Sequence, residues 1–188
     1  PKSAQYKTKV IPNGVNLKKF YPIKNNIAKK KLGLENGIDY ILFFYTEGQH
    51  VKNNKMAMEV FKLIKDTKPN TEIIIATDIA HEDLIYYYNS CSVMIITSFH
   101  EGSNNSVKEA IACDLPIVTV NVGDVEERLE NKRHCYVTNS YDILLFSNKV
   151  LNVLKSKERS DGSKNMGRIN ESTVALDIVK LYRKIYNN

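Results

Sequence analysis

Short apolar runs alternate with amphipathic segments along most of this chain. The runs rich in β-branched residues predict strands at residues 8–11, 40–45, 71–76, 92–96, 116–120 and 135–137. Apolar residues at helical spacing predict helices at residues 53–68, 81–90, 105–113, 124–130, 141–154 and 172–186. Strands of continuous apolar residues are buried on both faces, which is typical of a parallel sheet covered by helices. We therefore predict an α/β fold with a Rossmann-like, doubly wound parallel sheet and helices on both faces.

Residues 1–188 are expected to form a single domain, with residues 1–11 as its entry segment. Residues 156–164 are polar and contain a glycine, so we predict a mobile loop there. The helix predicted at residues 172–186 carries an apolar stripe that we expect to pack on this domain; packing against a second domain is the alternative. The stripe consists of Val174, Ile178, Leu181, Tyr182 and Ile185.

The composition is that of a soluble globular protein, with 43% hydrophobic and 26% charged residues. No apolar stretch approaches the roughly 18 residues that a membrane span needs. The three cysteines, Cys91, Cys113 and Cys135, are far apart and form no CxxC pair. We expect free thiols, with Cys91 and Cys113 in the core, and a reducing cytoplasmic environment.

The net charge of +6 is concentrated at one end of the sequence. Residues 1–34 contain nine lysines and no acid, whereas the rest of the chain carries three more acids than bases. A basic segment of this kind suits nucleic acid, anionic lipid or an acidic substrate, but the abundance of Lys, Asn, Ile and Tyr also fits an AT-rich gene. Because no aromatic residues are interleaved with Arg in a base-stacking pattern, we predict no nucleic-acid binding.

The segment with the most chemical content is residues 98–110, which leaves a buried strand, turns through glycine and small polar residues and enters a helix. Exposed backbone amides at a helix N-terminus form a ready site for phosphate. The segment has neither a P-loop nor a GxGxxG pattern. Instead, Glu101 precedes the turn and Glu109 lies early in the helix, so a diphosphate over the amides would have one polyol at each carboxylate. A nucleotide-sugar has that layout.

Each of these acids also has a purely structural interpretation. Ser106 and Glu109 have the spacing of a capping box, which the spacing alone favours over a ligand role for Glu109. Glu101 could equally be a solvated loop acid. His100 fits an ordinary surface histidine better than a catalytic group.

The spacing of Glu101 and Glu109 is similar to the E-x7-E motif of retaining glycosyltransferase family 4, which has the GT-B fold. Further segments match that family in order. They are VIPNGVN at residues 10–16, KLGL at 31–34, VKN at 51–53 and EAIACDLPIV at 109–118, with Gly123 following. The resemblance covers nearly the whole chain and implies the C-terminal, donor-binding half of a GT-B enzyme.

The resemblance also implies a role for particular residues. Glu101 would hold sugar hydroxyls, Glu109 the ribose diol, and Lys52 would place a cation against the β-phosphate as charge develops there. Backbone amides of residues 102–106 would cradle the sugar and the diphosphate, and the nucleobase would lie near Thr77 and Asp78. The implied catalytic residues are therefore Glu101 and Lys52. The implied donor-binding residues are Thr46, Thr77, Asp78, Gly102, Ser103, Asn104, Asn105, Ser106 and Glu109.

The chain departs from the family pattern in two places. Thr46 stands at the position where an Arg commonly pairs with the Lys on the diphosphate, and Glu47 is beside it. The segment between Ala76 and His81 is too short for a helix and a strand that are usual in the family. The preference for a nucleobase therefore does not transfer.

The resemblance implies retaining transfer of a hexosyl group from a nucleotide-diphospho-sugar, with the departing phosphate assisting the acceptor hydroxyl. We expect no metal, because no DxD-type acid pair lies beside the phosphate loop, and no cofactor apart from the nucleotide-sugar substrate. A glycan or glycolipid acceptor would be held mainly by an N-terminal domain that these residues do not include, and so would any peripheral contact with the inner face of a membrane. Surface polysaccharide or glycolipid synthesis would be the pathway.

Two alternatives belong to other functional classes. One is a non-catalytic nucleotide-sugar-binding domain, which Thr46 suggests. The other is a nucleotide-sugar epimerase of related fold, which would interconvert free sugar nucleotides without an acceptor.

Overall fold

A computed structural model describes residues 9–186, and within them five parallel strands form one sheet. The strands are β1 (Asp39–Phe44), β2 (Thr71–Ala76), β3 (Val93–Ile96), β4 (Ile117–Val120) and β5 (Tyr136–Thr138). Their order across the sheet is β2-β1-β3-β4-β5, and every neighbouring pair is parallel. The predicted fold class is confirmed.

Helices flank this sheet on both faces. They are α1 (Asn25–Leu32), α2 (Asn54–Thr67), α3 (Leu84–Ser90), α4 (Asn105–Ala112), α5 (Val125–Leu129), α6 (Ile143–Ser156) and α7 (Glu171–Tyr186). Helix α2 packs against α6, and α1 packs against α3. Two short 3-10 turns, His50–Lys52 and Gly162–Asn165, complete the regular structure of the described residues.

The burial of the strands follows their position in the sheet. All four residues of β3 and all four of β4 are buried, as continuous apolar runs predict for central parallel strands. The edge strand β2 is only partly covered, and Ile75 is 43% exposed. Cys91 and Cys113 are fully buried in the core, as predicted, and burial raises the pKa of both thiols to about 12.

The strand predicted at residues 8–11 does not form over residues 9–11, the part of it that the structure describes. Thr8 lies outside the described residues, and Lys9 to Ile11 form no strand, with Val10 91% exposed. The first β-bridge after this segment is an isolated parallel one between Val15 and Asn170. Pro12, which has no N–H to donate, interrupts the apolar run before it could extend into that bridge.

Helix α1 was not predicted. It ends at Gly33, which adopts the left-handed conformation with φ of 68°, and its last turn contains Lys29, Lys30 and Lys31. A basic last turn followed by glycine is a recognised helix C-terminus, so the signal was present in the sequence.

The mobile loop predicted at residues 156–164 is also wrong. Arg159 donates hydrogen bonds to the carbonyl oxygens of Cys91 (2.7 Å), Tyr88 (2.9 Å) and Cys113 (2.8 Å), which lie at the C-terminal ends of α3 and α4. One guanidinium thus satisfies carbonyl groups that the two helices cannot bond themselves. Gly162 is equally constrained, because a Cβ there would lie 2.6 Å from the side chain of Ile111.

Helix α7 forms as predicted, but its apolar stripe does not pack on the domain. Of its residues only Val174 is buried. Ile178 is 39% exposed, Tyr182 70% and Ile185 66%. The expectation that this stripe would be covered by the described residues was therefore wrong.

Candidate functional site

The strand order brings two loops together at one edge of the sheet. The connection from β1 continues outward to β2, whereas β3 lies on the other side of β1, so the chain changes direction between β1 and β3. In open α/β sheets, ligands bind outside the carboxyl ends of the strands at such a switch point. The loop after β1, residues 45–49, and the loop after β3, residues 97–104, meet there. We call the segment from Gly102 to Asn104 the donor loop.

The donor loop leads directly into α4. Asn104 is the N-cap of that helix, and its Oδ1 accepts hydrogen bonds from the backbone N–H (2.9 Å) and the hydroxyl (2.7 Å) of Ser106. The backbone N–H groups of Gly102, Ser103 and Asn104 make no hydrogen bond to another described residue. The free amides and the positive end of the helix make this edge favourable for an anion.

The capping box predicted for Ser106 and Glu109 does not form. Asn104 occupies the N-cap position instead, so Glu109 lies in the second turn of α4 and cannot reach back to the first amide. Glu109 Oε2 accepts a hydrogen bond from the hydroxyl of Tyr88 at 2.8 Å, and its Oε1 lies 3.4 Å from His81 Nε2. The carboxylate is therefore held by α3 and by the segment before it.

Tyr88 keeps its proton and donates a hydrogen bond to this carboxylate. Its side chain is fully buried, and burial together with the charge and hydrogen bond of Glu109 raises the pKa of Tyr88 well above its usual value. The phenol remains protonated and orients Oε2 of Glu109, while Oε1 has a longer contact, at 3.4 Å, with the exposed ring of His81.

Glu101 is partly buried and bonded, which excludes its interpretation as a solvated loop acid. Its Oε1 accepts from Lys52 Nζ at 2.7 Å and from the hydroxyl of Ser98 at 2.7 Å. The side chain of Glu101 is 15% exposed and that of Lys52 22%. Both contacts fall on Oε1, so Oε2 makes no hydrogen bond within residues 9–186.

Lys52 is fixed through the 3-10 turn in which it lies. The hydroxyl of Thr97 donates to the carbonyl oxygen of Lys52 at 2.9 Å, and the N–H of Phe99 donates to that of Val51 at 2.9 Å. The turn after β1 is thus bonded to the loop after β3, and the cation is held beside the N-terminus of α4.

Thr46, Thr77 and Asp78 lie together at the ends of two neighbouring strands. The hydroxyls of Thr46 and Thr77 are 3.4 Å apart. With Asp78 they line a pocket of about 260 Å³ at the carboxyl ends of β1 and β2. Thr46 therefore lies beside the residues predicted to hold the nucleobase.

The predicted phosphate-binding residues divide between two surfaces. Asn104 and Ser106 line a narrow crevice with Lys52 and Ser98, between the ends of β1 and β3. Gly102 and Ser103 line a separate cleft of about 810 Å³ that also includes residues 123–124. Asn105 and His100 are exposed, and the ring of His100 has no hydrogen-bond partner among the described residues.

The position of the donor loop depends on Gly123, which follows β4. Gly123 has a φ of 60°, and a Cβ on it would collide with the carbonyl oxygen of Gly102. Only a residue without a side chain allows this approach. The family resemblance identified Gly123, but no sequence signal identified its contact.

Sequence reasoning missed Tyr88, Ser98 and His81 as partners of the two carboxylates. Tyr88 is 21 residues from Glu109, and only the folded sheet brings them together. Ser98 directly follows a buried strand, which is a weak signal that could have identified it.

Neither a cluster of metal ligands nor a bilayer-spanning helix occurs within residues 9–186. No group of three or more His, Cys, Asp or Glu side chains in that range is arranged to hold a metal ion. Over the same range, every helix falls short of the length and apolarity required to cross a bilayer.

Sequence comparison identifies a family. The profile described as Glycosyl transferases group 1 matches residues 52–156. A curated relative from Campylobacter jejuni, N,N'-diacetylbacillosaminyl-diphospho-undecaprenol alpha-1,3-N-acetylgalactosaminyltransferase, is 27% identical over 93% of this chain. The chain spans about half of that relative, 54% of its length.

Solved structures show the same fold. The sucrose-phosphate synthase of Thermosynechococcus elongatus matches with a TM-score of 0.77 at 20% identity, over 96% of this chain and 53% of that one. HepE of Anabaena, solved in complex with UDP-glucose, matches with a TM-score of 0.65 at 17% identity, over 94% of this chain and 57% of that one.

Proposed function

The chain belongs to the Glycosyl transferases group 1 family, and we propose that it is the C-terminal, donor-binding half of a retaining enzyme of glycosyltransferase family 4. It would take a hexosyl group from a nucleotide-diphospho-sugar. The GT-B-like architecture of its structural neighbours supports this assignment, since they contain a comparable domain within about twice the chain length.

The observation that carries the proposal is a pair of bonded carboxylates, one before and one after the N-terminus of α4 in the sequence. Glu101 and Glu109 are each oriented by bonds to one oxygen, with the other oxygen facing no strong donor. The unbonded amides of the donor loop lie between them at the N-terminus of α4. A sugar at Glu101, a diphosphate over the amides and a ribose at Glu109 would satisfy all three groups.

In the proposed reaction, the bond between the anomeric carbon and the β-phosphate oxygen breaks while the acceptor hydroxyl forms a bond on the same face of that carbon. The hydroxyl proton passes to the departing phosphate oxygen. Lys52 and the N-terminus of α4 would stabilise the negative charge that develops there, and this charge is larger in the transition state than in the bound donor. Glu101 would hold the hydroxyls of the sugar through Oε2. No cofactor beyond the donor enters this scheme.

A uridine nucleotide is the first donor to test. HepE of Anabaena, a structural neighbour, was solved with UDP-glucose bound. In the present chain, the pocket of Thr46, Thr77 and Asp78 offers hydroxyl and carboxylate groups at the proposed base position. Because Thr46 replaces a cation, the diphosphate would be held by Lys52 and the helix terminus alone.

We further propose an acceptor that is a glycan or a glycolipid, bound mainly by a second domain. The name of the Campylobacter relative specifies a diphospho-undecaprenol-linked acceptor. A lipid-linked acceptor would bring the enzyme to the inner face of a membrane, and surface polysaccharide or glycolipid synthesis would be its pathway.

Calorimetric titration with UDP, GDP, ADP and CDP tests the donor site. We expect one nucleotide to bind selectively and Glu109→Gln to weaken it by about tenfold or more, since the ribose loses hydrogen bonds to a charged group. Glu59→Gln, an acid on α2 away from the site, is the matched control and should bind as the unaltered chain does. Equal affinity of the Glu109→Gln variant and the control would contradict the ribose role.

Thr46 keeps a second candidate open, a non-catalytic domain that binds a nucleotide-sugar. An NMR assay of the unaltered full-length protein separates the two, because a catalytic site should transfer sugar even with one cation. Thr46→Arg should tighten nucleotide binding in either case, since it adds a cation to the proposed donor site. Binding without transfer or donor consumption would favour the non-catalytic alternative, and donor epimerisation in the same assay would reveal the third function considered.

A further inference from the structure

The side chain of Lys108 is the most unusual one in the molecule. It lies on α4 about one turn beyond the donor loop, yet it is 0% exposed, and its Nζ has no hydrogen-bond partner within residues 9–186. A buried ammonium group without a partner is costly, and native structures rarely retain one without a reason. Asp124 also has a buried, unbonded oxygen, Oδ1. The two charges attract each other, and each shifts the titration of the other toward its ionised form.

The second oxygen of Asp124 is bonded to the donor loop. Oδ2 accepts from the hydroxyl of Ser103 at 2.7 Å and from Arg128 Nε at 2.9 Å. One residue earlier, Gly123 packs against the carbonyl oxygen of Gly102. The start of α5 therefore touches the donor loop through one backbone contact and one side-chain bond, and the side-chain bond ends on a carboxylate.

Arg128 on α5 bonds this carboxylate directly, whereas Lys108 on α4 makes no ion pair with it among the described residues and acts on it through its charge. Glu127, which also pairs with Arg128 at 3.2 Å, is 70% exposed. Burial opposes ionisation of Asp124, but the hydrogen bonds from Ser103 and Arg128 and the charges of both cations outweigh it, so the pKa of Asp124 lies below its usual value. Burial lowers the pKa of Lys108, and the charge of Asp124 acts in the opposite direction.

We propose that Asp124 is a positioning residue for the donor loop and that Lys108 is its buried countercharge. The carboxylate holds Ser103, and the loop amides of Gly102 to Asn104 take their direction from that attachment. That the loop holds a diphosphate rests on the proposed function. The bond between Ser103 and Asp124 is independent of that function, and its effect on the loop can be measured without any nucleotide.

Hydrogen–deuterium exchange of the peptide covering residues 98–108 provides that measurement. Asp124→Asn keeps the shape of the side chain but weakens the bond to Ser103 and leaves Lys108 without a countercharge. We therefore expect the hydrogen-bonded amides that flank the donor loop, those of Phe99 and Ser106, to exchange about tenfold faster or more. Glu127→Gln also removes a carboxylate bonded to Arg128, but it does not touch Ser103, and its exchange should match that of the unaltered chain. Equal exchange in the two variants would overturn the proposal.

The countercharge is tested by a double-mutant cycle with Lys108→Met, which removes the charge and keeps the length of the side chain. The combined Asp124→Asn and Lys108→Met chain should be more stable in urea than the sum of the two single effects, because no uncompensated charge is left in the interior. Additive effects would overturn the pairing. If Asp124→Asn fails to fold, Ser103→Ala removes only the loop bond, and unchanged loop exchange in that variant would overturn the positioning role.

Nucleotide binding then separates this proposal from the proposed function. If UDP binds the unaltered chain, Ser103→Ala and Asp124→Asn should weaken it, whereas Glu127→Gln should not; no weakening would overturn the positioning role. If none of the four nucleotides binds, the proposed function fails, while the exchange comparison still decides whether Asp124 holds the loop.

Discussion

The two edges of the sheet carry similar kinds of side chain but use them differently. At the amino edge, a cleft of about 820 Å³ is lined by charged residues whose bonds are directed into the protein. Lys29 Nζ donates to the carbonyl oxygen of Ile38 at 2.7 Å, and Asp39 accepts both Lys68 and the hydroxyl of Ser92. At the carboxyl edge, Glu101 and Glu109 each keep one oxygen without a strong donor.

The proposed site is therefore marked by unused hydrogen-bonding capacity and not by the size of its cleft. The cleft at the amino edge is as large as the cleft of about 810 Å³ beside the donor loop, yet there Arg159 and the ion pair of Lys68 and Asp39 use their charges to hold helices and strands together. Substitutions at the amino edge should therefore change stability, and those at the carboxyl edge should change binding. Four predictions test this division.

The largest effect is expected at Arg159. Arg159→Met removes three hydrogen bonds from a charged donor to helix-end carbonyls, which should cost about 3 kcal/mol or more in the free energy of unfolding. Urea denaturation followed by circular dichroism measures the loss. Arg133→Met is the control, because Arg133 is 58% exposed and pairs with the exposed Glu158, so it should cost under about 1 kcal/mol. Similar losses in the two variants would contradict the structural role of Arg159.

Gly123→Ala should affect both stability and binding. The added Cβ would collide with the carbonyl oxygen of Gly102, and the positive φ adds strain, so we expect a loss of about 1–3 kcal/mol and weaker nucleotide binding. Gly37→Ala shares the positive φ, at 86°, but meets no atom within 4 Å. Only the collision with the donor loop differs between the two variants, so equal nucleotide affinity would refute its importance.

Lys52→Met should separate binding from stability. We expect UDP affinity to fall about tenfold, while the free energy of unfolding falls by about 1 kcal/mol, because Glu101 loses its cation but keeps its bond to Ser98. Calorimetry and urea denaturation on the same sample give both values. Lys55→Met, an exposed lysine at the start of α2, should leave both unchanged. If Lys52→Met lowered the free energy of unfolding by more than it lowered the favourable free energy of UDP binding, Lys52 would belong with the charged residues that stabilise the fold.

The smallest effect is a pH dependence at Asp124. Because the pKa of Asp124 is lower in the folded chain than its ordinary value of 3.8, its ionised form stabilises the fold above pH 3.8. That contribution is lost as the pH falls below 3.8 through the folded pKa. The stability difference between the unaltered chain and Asp124→Asn should therefore be constant near neutral pH and shrink in acid. A difference that stays constant down to about pH 2 would contradict the bonding assigned to this carboxylate.

Most of the fold could be predicted because its signals are local. The five strands of the sheet lie within one or two residues of the apolar runs that predicted them, since central parallel strands need continuous apolar sequence. The helices from α2 to α6 follow from their spacing in the same way. The predictions for Val10 and for the packing of α7 failed because apolar residues there are exposed and do not pack against the other described residues.

The site could be predicted only in part. Sequence spacing placed Glu101 and Glu109 on either side of a helix N-terminus, but it could not decide between Asn104 and Ser106, which are both good N-caps. In the structure Asn104 is the N-cap. Glu109 therefore takes no part in capping, and its carboxylate accepts a hydrogen bond from Tyr88. Contacts of this kind join residues far apart in the chain, and no local pattern encodes them.

If the proposed function holds, the ion pair between Lys52 and Glu101 makes donor binding an exchange of contacts rather than an addition. In the proposed complex, a phosphate takes the ammonium group away from the carboxylate, and a sugar hydroxyl takes its place on Glu101. After transfer the sugar is gone, and Glu101 competes with the nucleotide for Lys52. The pair that orients the cation before the reaction would thus speed product release, and UDP should dissociate more slowly from a Glu101→Gln chain than from the unaltered one.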